Sequence, residues 1–297
     1  MGTRATARRR TEAPPTRHPI GPARHSPRVP PRPAHVLPGP ATPAPPVRAL
    51  ALLIPLLVPI APAWAQSVGP CEEPDAATHC EVREWTLGDA GAFRADGLHN
   101  AHVVVEGWDS PHVRVVAELA ATGPGARQRV EAVRVSVEGG VLRVDDPGRP
   151  EVEGGPTVWV HAFVPRATPL DLATHNGTVG AGGTTGRVRV ATQNGRVLLH
   201  RLTGAVEART QNGEVRVDLP AAHGALDVAT QNGRVQIEAP AGWDGRVVAS
   251  ADNGTVTSTL GTPVRPERGG PVTLDAGSGT PLVRASTHNG HVSFARD

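Results

Sequence analysis

The sequence predicts an all-β protein, a right-handed parallel β-solenoid of about 18-residue coils preceded by a β-rich N-terminal segment. Three observations carry the prediction. A Thr-x-Asn-Gly-x-Val motif recurs at near-constant spacing, a second glycine precedes most copies at a fixed offset, and aliphatic residues alternate on both sides of the motif.

Taken in order, residues 1–46 are rich in Arg, Pro, Ala and Thr and hold too few aliphatic side chains to offset chain entropy. They read as a disordered leader or as sequence upstream of the true start, because Met1 is the only methionine and a GUG codon at Val47 would serve instead. Residues 47–65 read as a secretory signal: Arg48, an apolar run from Ala49 to Ile60 broken by Pro55 and Pro59, then the small-x-small site Ala63-Trp64-Ala65. The run falls short of the roughly 20 residues that span a bilayer, so no integral membrane segment is expected in the mature chain. The expectation is export, to the periplasm or the cell surface.

Nine of the 30 basic residues but only Glu12 of the 28 acids lie before Gln66, so residues 66–297 carry a net charge of −6 with histidine neutral. That balance removes the electrostatic footprint of a nucleic-acid partner. Cys71 and Cys80, in the mature N-terminus at 66–80, are expected to form a disulfide, as an even pair in an exported chain usually does.

Residues 81–165 alternate over short runs bounded by Gly, Asp and Pro: His102–Glu106, Val113–Ala117, Val133–Val137, Val141–Val144 and Val158–Ala162. Each is expected to be a strand. From 166 to 297 the chain becomes self-similar. Thr174-His-Asn-Gly-Thr-Val179, Thr192-Gln-Asn-Gly-Arg-Val197, Thr210-Gln-Asn-Gly-Glu-Val215 and Thr230-Gln-Asn-Gly-Arg-Val235 are spaced by 18, 18 and 20 residues. Ala251-Asp-Asn-Gly-Thr-Val256 follows 21 on, and Thr287-His-Asn-Gly-His-Val292 a further 36, a distance read as two coils with a degenerate unit at Gly277-Ser278-Gly279.

Gly186, Gly204, Gly224 and Gly245 mark a second corner, six residues before each motif. Pairs such as Val188 and Val190 before the motif, and Val197 and Leu199 after it, point both arms of a coil inward. The Asn-Gly corners are Asn176-Gly177, Asn194-Gly195, Asn212-Gly213, Asn232-Gly233, Asn253-Gly254 and Asn289-Gly290. They are expected to supply positive φ, with stacked Asn side chains bonding along the axis. One coil buries about four aliphatic side chains, too little against backbone entropy of roughly 1–2 kcal/mol per residue, so coils must stack. The competing architecture is an antiparallel meander, because Asn-Gly is also a hairpin signal. Against it, Asp171, Arg189 and Glu207 occupy equivalent outward positions, as do Arg196, Glu214 and Arg234. Alternating signs one coil apart suit a parallel stack.

The segment Val158-Trp-Val-His-Ala-Phe-Val-Pro165, the run Leu170-Asp-Leu-Ala-Thr-His-Asn-Gly-Thr-Val179 with its repeats, and Val103-Val-Val-Glu-Gly-Trp-Asp109 resemble the DUF4097 family of adhesin-type proteins over about 82–297. The resemblance implies a right-handed β-solenoid in an extracytoplasmic setting, with no catalytic residues to carry over and no cofactor.

Three classes of function compete. A polysaccharide-active β-helix enzyme would use Asp171, Glu207 and Asp227, which share a column, but Arg189 stands among them and a solvated charge ladder is the simpler reading. Metal binding is disfavoured because His175 and His288 alternate with Gln193, Gln211, Gln231 and Asp252 at one motif position, and Ser278 lacks a nucleophile-elbow context. A glycan-binding module would want aromatic platforms, yet the chain has no Tyr, and Trp243 in Ala241-Gly-Trp-Asp-Gly245 is the one candidate for an exposed contact. A non-enzymatic envelope or surface protein fits best, with Arg196, Glu214, Arg234 and Trp243 as the contact face and an envelope protein or polysaccharide as partner; a periplasmic sensor or scaffold is the variant reading. The last coil, ending at Phe294-Ala-Arg-Asp297 without a capping helix, is expected to leave an open strand edge for self-association.

Overall fold

A computed structural model of the chain describes residues 69–71, 77–145, 155–260, 272–275 and 280–296. The expected leader, the expected secretory signal and the expected degenerate unit at Gly277-Ser278-Gly279 lie outside the described residues.

The five alternating runs of the N-terminal part are strands. β1 (Thr78–Leu87), β2 (Phe93–Trp108), β3 (Val113–Thr122), β4 (Arg134–Glu138), β5 (Val141–Asp145) and β6 (Thr157–Pro165) are joined by one short helix, α1 (Ala126–Ala132). The repeats form β7 (Leu170–Gly182), β8 (Val188–His200), β9 (Val206–Asp218), β10 (Leu226–Ala239), β11 (Arg246–Ser258) and β13 (Leu282–Arg296), with the short β12 (Val272–Asp275) between the last two. All belong to one 13-stranded sheet with the path β1-β3-β6-β2-β7-β8-β9-β10-β13-β11-β12, from which β4 and β5 branch at β2. The solenoid expectation holds: β2 and the repeat strands pair parallel throughout, and antiparallel pairing is confined to the two flanks and the β4–β5 hairpin.

Each repeat is a single long strand kinked at Asn-Gly. In β8, Val188, Val190 and Thr192 point inward before the kink and Val197 and Leu199 after it, and every repeat strand sends such residues into one continuous core. Fully burying side chains of this size is worth about 1.5–3 kcal/mol apiece, and stacking is what makes that burial available to both arms.

The corner chemistry differs from expectation in one respect. None of the six motif asparagines has positive φ; among the described residues Arg201 is the only non-glycine that does. The left-handed conformations belong to Gly177, Gly213, Gly233 and Gly290, with φ of 133°, 156°, 154° and 149°. A side chain is excluded at this position for a second reason: a Cβ on Gly195, Gly213, Gly233, Gly254 or Gly290 would overlap the carbonyl oxygen of the glycine stacked beneath it.

The order of the last coils also departs from the sequence reading. β13 does not follow a degenerate unit at the end of the stack; it lies between β10 and β11, parallel to both and in register from Leu226↔Val283 to Ala239↔Arg296 and from Arg246↔Leu282 to Ser258↔Phe294. The 36-residue interval therefore separates adjacent coils, Asn253 facing Asn289. The expected open edge at the C-terminal coil is overturned, because β13 is paired on both sides. The physical reason is the path of the chain after β10: through Pro240-Ala241-Gly242-Trp243-Asp244 it enters β11 two coil spacings of about 4.8 Å from β10, and β13 fills the slot left between them. β12 then pairs antiparallel with the first arm of β11, Val247↔Leu274.

Candidate functional site

Stacking identical motifs in register turns single residues into columns. The asparagine column is continuous: the Nδ2 of Asn253 donates to Oδ1 of Asn289 at 2.9 Å, and the same bond repeats from Asn289 to Asn232, Asn232 to Asn212, Asn212 to Asn194, Asn194 to Asn176 and Asn176 to Asn100 at 2.7–2.9 Å. All seven asparagines of the chain take part. Asn100 was missed in the sequence because β2 lacks the motif glycine, carrying Asn100-Ala101 instead, yet Leu98-His-Asn-Ala-His-Val103 keeps its outline and pairs Asn100 with Asn176. Because every amide donates in one direction, the bonds polarise one another along the axis.

Beside this ladder runs a groove of about 450 Å³. Ala173, Ala191 and Ala229 line it with small side chains, Gln193, Gln211 and Gln231 supply exposed amides, and Arg209 adds a guanidinium. Thr174, Thr192, Thr210 and Thr230 line it from the core side and are 4–6% exposed. Thr174 donates to the Leu98 carbonyl at 3.1 Å, whereas the Oγ1 atoms of Thr192 and Thr210 are buried with no hydrogen-bond partner. A buried hydroxyl without a partner costs roughly 1–3 kcal/mol, so these two are conspicuous. A second hollow of about 200 Å³ shares Ala173, Thr174 and Gln193 and extends toward Asp96, His99 and His175.

Both charged columns stack as their spacing implied. Arg94 approaches Asp171 at 4.0 Å, Arg189 lies 3.3 Å from Glu207, and Arg209 lies 3.1 Å from Asp227. Every carboxylate that an acid–base mechanism would recruit thus has an arginine beside it. In the other column Arg196 meets Glu214 at 3.5 Å, and Arg234 stands in register with Glu214. His175 and His288 sit exposed in the glutamine column, His175 beside His99 with ring centroids 5.9 Å apart and His288 bonded to Asp252 at 2.8 Å.

Trp243 is not a surface contact. It is 1% exposed, its ring lies 5.2 Å from that of Phe294, and its indole N–H donates to Nε2 of His223 at 2.9 Å. His223 in turn gives its Nδ1 proton to the Gly224 carbonyl at 2.6 Å, which fixes the tautomer. Burial pushes the His223 pKa down, opposed by the weaker pull of that carbonyl. Burial likewise lowers the pKa of His102, which stacks on Trp159 at 4.2 Å and accepts the Thr178 N–H through Nδ1. The enlarged corner that drew attention to Trp243 is thus a plug against β13, a contact that needs the out-of-order stacking to be visible.

At the opposite corner Glu106 and His200, 94 residues apart, meet at 3.0 Å with side chains 13% and 3% exposed. Gly182, stacked between them, leaves the space: a Cβ there would overlap the imidazole. Arg166 clamps Asp109 through two bonds of 2.6 and 3.0 Å nearby. No sequence signal marks this pair, since it spans two non-adjacent strands. The Cys71–Cys80 disulfide is formed, with Cα atoms 5.6 Å apart, and ties the segment before β1 to its start. Among the described residues no helix is long and apolar enough to cross a membrane.

No protein-family model and no curated protein matches the chain. Solved structures with a similar course of the chain include a protein provisionally named for cell adhesion from Clostridium sporogenes, at 10% identity over 74% of this chain and 100% of that one, TM-score 0.39. A provisionally named adhesin from Bacteroides fragilis follows at 14% identity, 74% and 97% coverage and TM-score 0.32. A provisionally named lipid-binding protein from Parabacteroides distasonis gives 9%, 74% and 97%, and 0.30.

Proposed function

We propose that this chain is an exported, non-catalytic solenoid of adhesin type that holds an extended envelope polysaccharide along its outer groove. The observation that carries the reading is the groove of about 450 Å³ lined by the exposed amides of Gln193, Gln211 and Gln231 in successive coils. Equivalent groups recur one coil apart, about 4.8 Å, a step close to the rise of one sugar along an extended chain. Such a polymer meets the same exposed amide donors and acceptors at each unit, directly or through bridging water. Neither Trp nor Phe is among the described residues lining the groove, so recognition works through hydrogen bonds rather than ring stacking. Net negative charge on the mature chain favours neutral or basic sugars over acidic ones. The disulfide is consistent with an oxidising compartment, periplasmic or extracellular.

The test is retention of purified polysaccharides by the immobilised, oxidised chain, with product analysis of each. Retention of intact polymer, weakened about tenfold, or ~1.4 kcal/mol, when Gln193, Gln211 and Gln231 are all changed to Ala, supports the reading. Shortened products that vanish with Asp171→Asn or Glu207→Gln would replace it with an enzyme.

A further inference from the structure

The slot between β10 and β11 is filled by β13, and its walls specify what can fill it. An incoming strand must offer an amide that donates to Asn232 and accepts from Asn253, as Asn289 does. It must carry glycine next, because a Cβ on Gly290 would overlap the carbonyl oxygen of Gly233. It must present aliphatic residues at Val283, Ala285 and Val292, and a ring at Phe294 to meet Trp243. Thr287 adds a hydroxyl aimed at the Gly233 carbonyl at 3.4 Å. These demands amount to a readout of one strand sequence, and the chain's own Leu282–Arg296 meets all of them.

From this we infer that the slot is a strand-acceptor site able to take β13 from a second copy of the chain, producing a dimer by reciprocal strand exchange. Two features of the fold support the exchange. β13 follows β10 and β11 in the sequence yet lies between them, so the slot closes only when a β13 enters it, and any copy's β13 offers the same side chains. Six residues separate β12, paired with β11, from β13, and at up to about 3.3–3.6 Å each when extended they let β13 leave its own slot while β12 keeps its place. The contacts made in an exchanged dimer are those of the monomer, so the balance between the two is set by concentration during folding. Addition of a copy to an open C-terminal edge, by contrast, has no place in this topology.

Gln236 and Ser293 are register partners on β10 and β13, and both are half-buried rather than in the core. Full-length Gln236→Cys/Ser293→Cys therefore reports which β13 fills the slot, since facing residues lie within disulfide reach. The variant is unfolded with Cys71–Cys80 kept oxidised, refolded at rising protein concentration, oxidised and run without reductant. Expected is a covalent dimer whose share grows with refolding concentration, with the far-UV signal of the monomer, and that falls when a Leu282–Arg296 peptide is present in excess. The same peptide carrying Asn289→Ala should compete at least several-fold less well. Cross-linking confined to single chains at every concentration would overturn the inference, and equal competition by both peptides would overturn the assigned recognition.

Discussion

The coils β7, β8 and β9 and the coils β10, β13 and β11 use one motif in two ways. In the first group sequence order and stacking order coincide, with short turns that advance the chain one coil at a time. In the second the chain skips a position and returns to fill it. The columns do not register the difference: the amide bonds from Asn289 to Asn232 and from Asn253 to Asn289, at 2.7 and 2.9 Å, match those of the sequential coils. Motif chemistry therefore sets register between neighbours without setting which coils become neighbours: the seven residues between β9 and β10 advance the chain one coil, and the six between β10 and β11 skip one.

Substitutions can break this comparison at different depths. Trp243→Ala removes the plug at the skipping corner and should cost about 3–5 kcal/mol in denaturant unfolding, with β11 and β13 losing hydrogen-exchange protection before β8 does. A glycine change should be felt alike in both groups: Gly195→Ala or Gly290→Ala forces the stacked backbones apart and should cost roughly 1–3 kcal/mol. Gly242→Ala, with nothing within 4 Å of the added carbon, should stay within about 0.5 kcal/mol. Asn212→Ala deletes two ladder bonds and Asn253→Ala only one, so thermal melts should show losses of about 1–2 and about 0.5–1 kcal/mol respectively.

Acidification offers a subtler contrast. His223 and His102 have folded pKa values held below the ordinary value of about 6.5, so the unfolded chain binds more protons as pH falls through that value. Their contribution is complete above about pH 6.5 and is lost as the pH drops toward the folded values. His223→Gln should flatten part of that slope, read from unfolding midpoints between pH 7.5 and 5.5. Weakest is the exposed charge ladder: Glu207→Gln should cost less than about 1 kcal/mol and nothing measurable in high salt.

Much of this architecture was legible because the motif repeats. Thr192-Gln-Asn-Gly-Arg-Val197 and its copies announce both the inward alternation and the amide column, and the pairing of Arg196 with Glu214 follows from spacing alone. What escaped is whatever depends on stacking order. Trp243 reads as exposed in a Gly- and Asp-flanked corner, and its burial comes from Phe294 and His223, which the stacking brings against it. The Glu106–His200 pair escaped because it bridges over a coil whose only contribution is the absent side chain of Gly182. The groove was hidden for a similar reason: alanines with no chemistry of their own line a hollow once they stand in a column.

The most direct measurement is residue-resolved hydrogen exchange on the oxidised chain at neutral pH, comparing β13 with β8. With β13 between β10 and β11, the amides of Val283–Phe294 that enter the sheet should exchange as slowly as those of Val190–Leu199. Fast exchange confined to Val283–Phe294 would contradict the insertion, and with it the continuous amide ladder and the strand-acceptor slot.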